Sequence, residues 1–235
     1  RVETWLDQTT LHIQFNNVAK HNALSVDMWE AVPQLLTQAE SDPRVRLVVF
    51  SGAGEKAFVS GADISQFEDM RAAKEAVTRY EHMAETALMS IYNFPKPTLA
   101  CIKGYCIGGG INVAISCDMR IAASDAVFSV PAAKLGLGYR YSAMKNLIDL
   151  IGPGAAKDLF FTARRVDAQE ALQLGLVSRV CAPDQWHHHP GFPQNTAAGW
   201  CGLRRQLPAR ARRCARRHHR DHSAIRAQPG ERRAL

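Results

Sequence analysis

Nothing in this 235-residue sequence approaches the ~20 successive apolar residues of a membrane-crossing helix, and no secretory signal opens it. The expectation is a protein without a membrane span. CxxC pairs are absent too. The six cysteines, at positions 101, 106, 117, 181, 201 and 214, have neither the spacing of a zinc site nor that of a small disulfide framework. Cys101, Cys106 and Cys117 lie in apolar stretches and read as small buried hydrophobes in a reducing, cytoplasmic setting, so no metal is expected. A Walker P-loop is missing. "GYCIGGG" lacks both the GxGxxG turn and the acidic partner at the distance that a dinucleotide site needs.

Lysine vanishes near the end of the chain. From residue 187 onward there are 11 arginines, no lysine and 2 acidic residues, a net of +9. The first 186 residues hold 18 basic and 20 acidic groups, a net of −2, so the overall +7 belongs to the tail and not to the body. Residues 184–235 also have few aliphatics, no sustained helical period and clustered prolines, which predicts a disordered tail. An RNA- or anion-binding arm is the functional alternative, and the tail is the one route by which nucleic acid enters as a partner. Arginine without lysine also fits GC-rich codons read out of frame.

What remains, residues 1–183, reads as one α/β core. "VETWLD" and "LHIQFN" alternate around "QTT" as a β-hairpin. "LSVDMWEAVPQLLTQAES" has apolar residues at helical spacing behind Ser25, a good N-cap, with Pro33 placed to kink the helix. "RLVVFSG", "KPTLACIKG", "DMRIAAS" and "AVFSV" are strands. "EDMRAAKEAVTRYEHMAETALMSI", "SAMKNLIDLIG" and "GAAKDLFFTA" are helices, and "DAQEALQLGLVSRV" is a capped helix, a stop at Gly175 and a strand. Strands alternating with helices predict parallel pairing.

The most informative stretch is "YCIGGGINVAISCD", residues 105–118. Each glycine disfavours a helix by roughly 1 kcal/mol relative to alanine. Three at a helix start make sense if the backbone N–H groups are the working parts, because the helix N-terminus presents unpaired donors and the positive end of the dipole. "FVSGADI" supplies a second glycine loop after a strand, and two such loops can converge their N–H groups on one oxygen. Close helix–sheet packing explains the glycines equally well at this point.

"AFVSGADI" followed by "KPTLACIKGYCIGGGINVAISCDMRIAASDAVFSVPAAKLGL" resembles the crotonase (enoyl-CoA hydratase/isomerase) superfamily, and "GAAKDLFFTARRVDAQEALQLGLVSRV" extends the likeness over most of residues 1–183. The resemblance implies a spiral of ββα units, a homotrimer or dimer of trimers, and an acyl-CoA thioester as substrate, with coenzyme A present only as part of that substrate. Carried over by motif position, the N–H groups of Ala62 and Gly109 form an oxyanion hole around the thioester carbonyl. Backbone groups of Ser60 and Ala62 meet the adenine. Asp63 and Ile64 continue that loop, Asp63 as a brace. The "AKHNAL" segment, with Ala19, Lys20, Asn22, Ala23 and Leu24, lines the CoA site.

Two positions depart from the family pattern. Hydratases of the family resemble "GGGxE", and here Asn112 holds the glutamate position; their second glutamate follows a proline, and here Ala132 follows Pro131. An amide holds a water but cannot take its proton, and alanine does neither. Tyr139, in "GLGYRYS", is similar to a tyrosine that faces the substrate carboxylate in methylmalonyl-CoA decarboxylases, although those keep a glutamate where Asn112 stands and a histidine where Ala62 stands. The expected function is enolate stabilisation of the hydratase/isomerase type, a lyase reaction. Decarboxylation of a malonyl-type thioester is one alternative, and non-catalytic acyl-CoA or RNA binding is another.

Amide hydrogens across 187–235 should exchange at near-coil rates in the isolated protein, and a block of slowly exchanging amides there would overturn the reading of that tail.

Overall fold

Apolar runs that carry little alternation, such as "LVVF" and "LACI", suit strands covered on both faces, and the chain uses them that way. The structure is a computed structural model that describes residues 1–63, 74–136, 138–139 and 141–182. The predicted 184–235 tail and Ile64 lie outside the described residues.

Two sheets organise the core. The first has six strands: β1 (Val2–Asp7), β2 (Thr10–Phe15), β3 (Leu47–Gly52), β5 (Thr98–Ile102), β7 (Met119–Ala123) and β10 (Arg179–Cys181), adjacent in that order. The second has four: β4 (Ala57–Val59), β6 (Tyr105–Ile107), β8 (Val127–Ser129) and β9 (Val166–Asp167), again in chain order. The chain therefore steps from the first sheet to the second, through a helix, and back to the next strand of the first. This is a spiral of ββα turns, as expected. The β1–β2 hairpin pairs Val2 with Phe15 and is antiparallel, as is β8 with β9; the other pairings are parallel.

The helices follow their local signals with two differences. α1 (Val26–Ser41) buries Met28, Trp29, Val32, Leu36 and Ala39 on one stripe. Ser25 stands at its N-cap in extended conformation, but the hydroxyl makes no capping bond, and only its carbonyl serves by accepting from the Trp29 N–H. Pro33 lies inside α1 and does not end it, because the buried stripe continues on both sides of the lost hydrogen bond. α2 (Lys74–Tyr92), α3 (Gly109–Ser116) and the short α4 (Ala132–Leu135) follow. α5 (Tyr141–Thr162) breaks at Gly152, φ +80°, so the two helices read from the sequence are present as two segments of one run. α6 (Ala168–Gln173) is capped by Asp167, whose carboxylate accepts from the Glu170 N–H at 2.8 Å.

Side chains of β3, β5 and β7 point alternately into two apolar clusters. Val48, Phe50, Ala100, Ile102 and Ala122 join the main core with α1 and α3, while Leu47, Val49, Leu99, Cys101 and Ile121 pack on the opposite face. Cys101, Cys106, Cys117 and Cys181 are all buried, and burial pushes their thiols up.

The loop between β2 and α1 is held by Asn22, which is 1% exposed. Its amide nitrogen donates to the carbonyls of Ala53 and Ala57 at 2.8 Å each, and its amide oxygen accepts from the Asn17 N–H at 3.0 Å. Ala53 follows the first sheet's β3, and Ala57 opens the second sheet's β4, so one side chain ties both sheets to one loop. Its own backbone is left-handed, φ +57°, which asparagine adopts more readily than alanine.

Asn22→Ala should leave two buried carbonyls and the half-buried Asn17 N–H without these partners and cost about 3 kcal/mol, measured as a lower urea midpoint at unchanged slope. A midpoint within experimental scatter of the parent would show that water replaces the amide.

Candidate active site

β4 and β6 are parallel neighbours, with Ala57 opposite Tyr105 and Val59 opposite Cys106. Loops leaving two such strands emerge on the same side, and here they meet. A Cβ added to Gly109 would stand 3.7 Å from the carbonyl carbon of Gly61 and 3.8 Å from its Cα. The Gly61–Ala62 peptide is fixed in turn by Leu24. The Leu24 N–H donates to the Gly61 carbonyl at 2.8 Å, and the Asp63 N–H donates to the Leu24 carbonyl at 2.9 Å. That parallel bridge leaves the Ala62 N–H facing away from Leu24. Gly109 is the first residue of α3, so its N–H has no acceptor within the helix.

The three glycines differ in what requires them. Gly108 is left-handed, φ +53°. Gly110 lets the helix touch the neighbouring strand, since a Cβ there would stand 2.2 Å from the Val59 carbonyl oxygen. Close helix–strand packing is thus one of their uses. Gly109 meets only ordinary contacts, and neither φ nor crowding demands glycine there.

Behind the meeting point lies an aromatic pair that the sequence did not single out. Trp29 of α1 has its ring 3.8 Å from the same added Cβ on Gly109, and its indole N–H donates to the Tyr80 hydroxyl of α2 at 2.7 Å. Both are buried. Burial pushes the Tyr80 phenol up to about 12, the Trp29 N–H opposes this, and the nearby Asp63 charge adds to it. Asp63 is itself buried, and Lys20 closes on it with contacts of 3.0 and 2.8 Å to the two carboxylate oxygens. The pair braces the loop carrying Ala62.

The other predicted residues take distinct places. Asn112 lies three residues after Gly109, on the same side of α3; it is half-buried, and its amide has no hydrogen-bond partner among the described residues. Ala132 is buried at the start of α4, directly after Pro131, whose ring is 3.8 Å from an added Cβ on Gly108. The Tyr139 hydroxyl is 3.4 Å from that same point, and its ring packs edge-on against Phe160 at 5.0 Å. Gly108 thus gathers the residues that precede Ala132 and the phenol of Tyr139. Burial raises the Tyr139 phenol above its ordinary value. It is therefore a proton donor at neutral pH and not a base.

The predicted CoA-lining segment divides into inside and outside. Ala19 and Lys20 are exposed, while Asn22, Ala23 and Leu24 are buried, with the Asn22 side chain spent on backbone. The Ser60 N–H donates to the His21 carbonyl at 3.1 Å and its hydroxyl to the Lys20 carbonyl at 3.2 Å, so two hydrogen bonds tie the loops together. No group of three metal-binding side chains occurs among the described residues.

A sequence profile of the enoyl-CoA hydratase/isomerase family matches residues 6–191. A short-chain-enoyl-CoA hydratase of Clostridium acetobutylicum is 35% identical over 173 residues, covering 74% of this chain and 66% of its own length. A peroxisomal Delta(3,5)-Delta(2,4)-dienoyl-CoA isomerase of Arabidopsis thaliana is 33% identical over 184 residues, with the same shares of 74% and 66%. The chain thus spans just under two thirds of the length of these relatives. Among solved structures, a putative enoyl-CoA hydratase/isomerase family protein from Hyphomonas neptunium superposes with a TM-score of 0.78 at 34% identity, covering 98% of this chain and 84% of that one. An enoyl-CoA hydratase/carnithine racemase from Magnetospirillum magneticum gives 0.76 at 31% identity, covering 79% and 70%.

The glycine assignments separate under substitution. Gly109→Ala should change stability by no more than about 1 kcal/mol, since alanine suits a helix and the space exists. Gly110→Ala must displace a backbone carbonyl and should cost about 2–3 kcal/mol. Equal urea midpoints for the two variants would refute this division.

Proposed function

Because the chain belongs to the enoyl-CoA hydratase/isomerase family, we propose that it acts on an acyl-CoA thioester, holding the thioester oxygen between the N–H groups of Ala62 and Gly109. The observation that carries this reading is the meeting of the Gly61–Ala62 peptide with the first turn of α3. Donors of this kind are worth about 3–4 kcal/mol each when charge develops on the oxygen. In this reading the loops 19–24 and 60–63 border the CoA portion, with Lys20 and Asp63 setting the loop and not the chemistry.

The reaction is one that passes through a thioester enolate. Syn hydration requires one group to take a proton from water and another to deliver a proton to the α-carbon. Asn112 and Ala132 do neither, and Tyr139 is a neutral phenol able to give a proton but poorly able to take one. Fast hydration is therefore not the proposed activity.

Decarboxylation of a malonyl-type thioester is the second reading, and the position of the Tyr139 hydroxyl beside the glycine turn favours it. Breaking the bond to the carboxylate releases CO2 and leaves its electron pair as the enolate, so no base is needed. The enolate then takes a proton at the α-carbon, from Tyr139 or from water.

Crotonyl-CoA hydration by the unaltered protein should be slow, and Asn112→Glu combined with Ala132→Glu should raise it by about 100-fold or more, the range for a restored acid and base. Loss of the carboxylate from methylmalonyl-CoA, followed as released CO2, should require Tyr139 but not those glutamates. Rapid hydration by the unaltered protein would refute the proton inventory on which both statements rest.

A further inference from the structure

Among the described residues two charged side chains are buried, Asp63 and Arg120. Asp63 has Lys20. Arg120, in β7, makes no salt bridge among the described residues; the exposed Asp118 accepts from the Thr98 N–H and hydroxyl and acts on the guanidinium through its charge. The Arg120 guanidinium is held by three backbone carbonyls: Nε donates to Leu176 at 2.9 Å, and Nη1 donates to Cys117 at 2.8 Å and Ala114 at 3.5 Å. Ala114 and Cys117 are at the C-terminal end of α3, Cys117 as its C-cap. The Ala114 carbonyl also accepts from the Cys117 N–H at 3.2 Å, whereas the Cys117 carbonyl is one that a helix leaves without an internal partner, at the negative end of its dipole.

We infer that Arg120 is a positioning residue for the thioester chemistry, a fixed positive charge at one end of α3 that strengthens the grip of the other end on an oxygen acquiring negative charge. The inference rests on the reading of Gly109 as a donor to that oxygen. Two effects act in the same direction. The cation cancels the partial negative charge at the C-terminal carbonyls, which opposes an anion at the N-terminus. It also attracts that anion directly. An α-helix of 8 residues is about 12 Å long, and a unit charge at about 12 Å with an effective dielectric of about 20 favours the enolate by up to about tenfold, the exposed Asp118 carboxylate offsetting part of it. Guanidinium stays charged in proteins despite the burial that lowers its pKa here, so the contribution is constant across the working pH range.

Satisfying three carbonyls is a structural role that a neutral donor could also fill. Charge separates the two roles. Arg120→Gln keeps N–H donors and loses the charge, whereas Arg120→Lys keeps the charge and loses the planar fork. Acetoacetyl-CoA is a suitable probe, because its enolate absorbs in the near ultraviolet and the bound enolate-to-keto ratio reads the electrostatics directly. The expected result is a ratio about tenfold lower in Arg120→Gln and close to the parent in Arg120→Lys, both measured below their urea midpoints. Equal ratios in the two variants would overturn the inference while leaving the thioester site standing. If Arg120→Gln does not fold, a tenfold loss in the charge-retaining Arg120→Lys overturns it equally. If the parent protein fails to raise the enolate fraction above that of free acetoacetyl-CoA, the thioester reading fails, and the inference fails with it.

Discussion

The Asn22 side chain binds a carbonyl just past β3 and another at the start of β4, and the loop it anchors sets everything downstream. Through Lys20 and His21 that loop holds Ser60, and through Leu24 it pairs with Ala62. The orientation of the Ala62 N–H is therefore decided several residues away, inside the join between the sheets. Burial makes the arrangement stiff, since an amide that leaves its partners in an apolar interior strands several polar groups at once.

α3 is the second half of the same construction. Its N-terminus meets the Ala62 loop, its third glycine-bearing contact presses on Val59, and its C-terminus rests on a buried guanidinium. Helix and loop are packed on Trp29 and Tyr80, which join α1 to α2 behind them. In the proposed reading, backbone amides aimed in this way would need no reorganisation when charge appears on a bound oxygen.

Long elements were legible because their signals are local. The stripe of α1, the cap and stop of α6, the break at Gly152 and the apolar runs of β3, β5 and β7 all declare themselves within a few residues. β4, β6 and β9 did not, for they are two or three residues long and exist only through pairing with segments tens of residues away. "AFV" inside a glycine-rich stretch reads as loop until Tyr105 and Cys106 lie beside it. The two glycine loops could be read from motif order. Trp29 and Tyr80 could not, because each looks like any apolar residue on a helix stripe. Arg120 did leave a trace: a cation amid "MRIAA" is out of character for a strand buried on both faces.

The contact between Gly110 and the Val59 carbonyl has a consequence for how such a protein can change over generations. At that position any side chain collides with backbone, so drift is barred. Two residues further along the same helix, Asn112 is half-buried with an amide that has no partner among the described residues, and Ala132 sits at the head of a four-residue helix of its own. The contact that seats α3 against β4 and, in the proposed reading, the residues that would move protons thus differ in tolerance. A lineage can exchange the second set and alter the reaction while the helix that presents the Gly109 N–H stays seated on its strand.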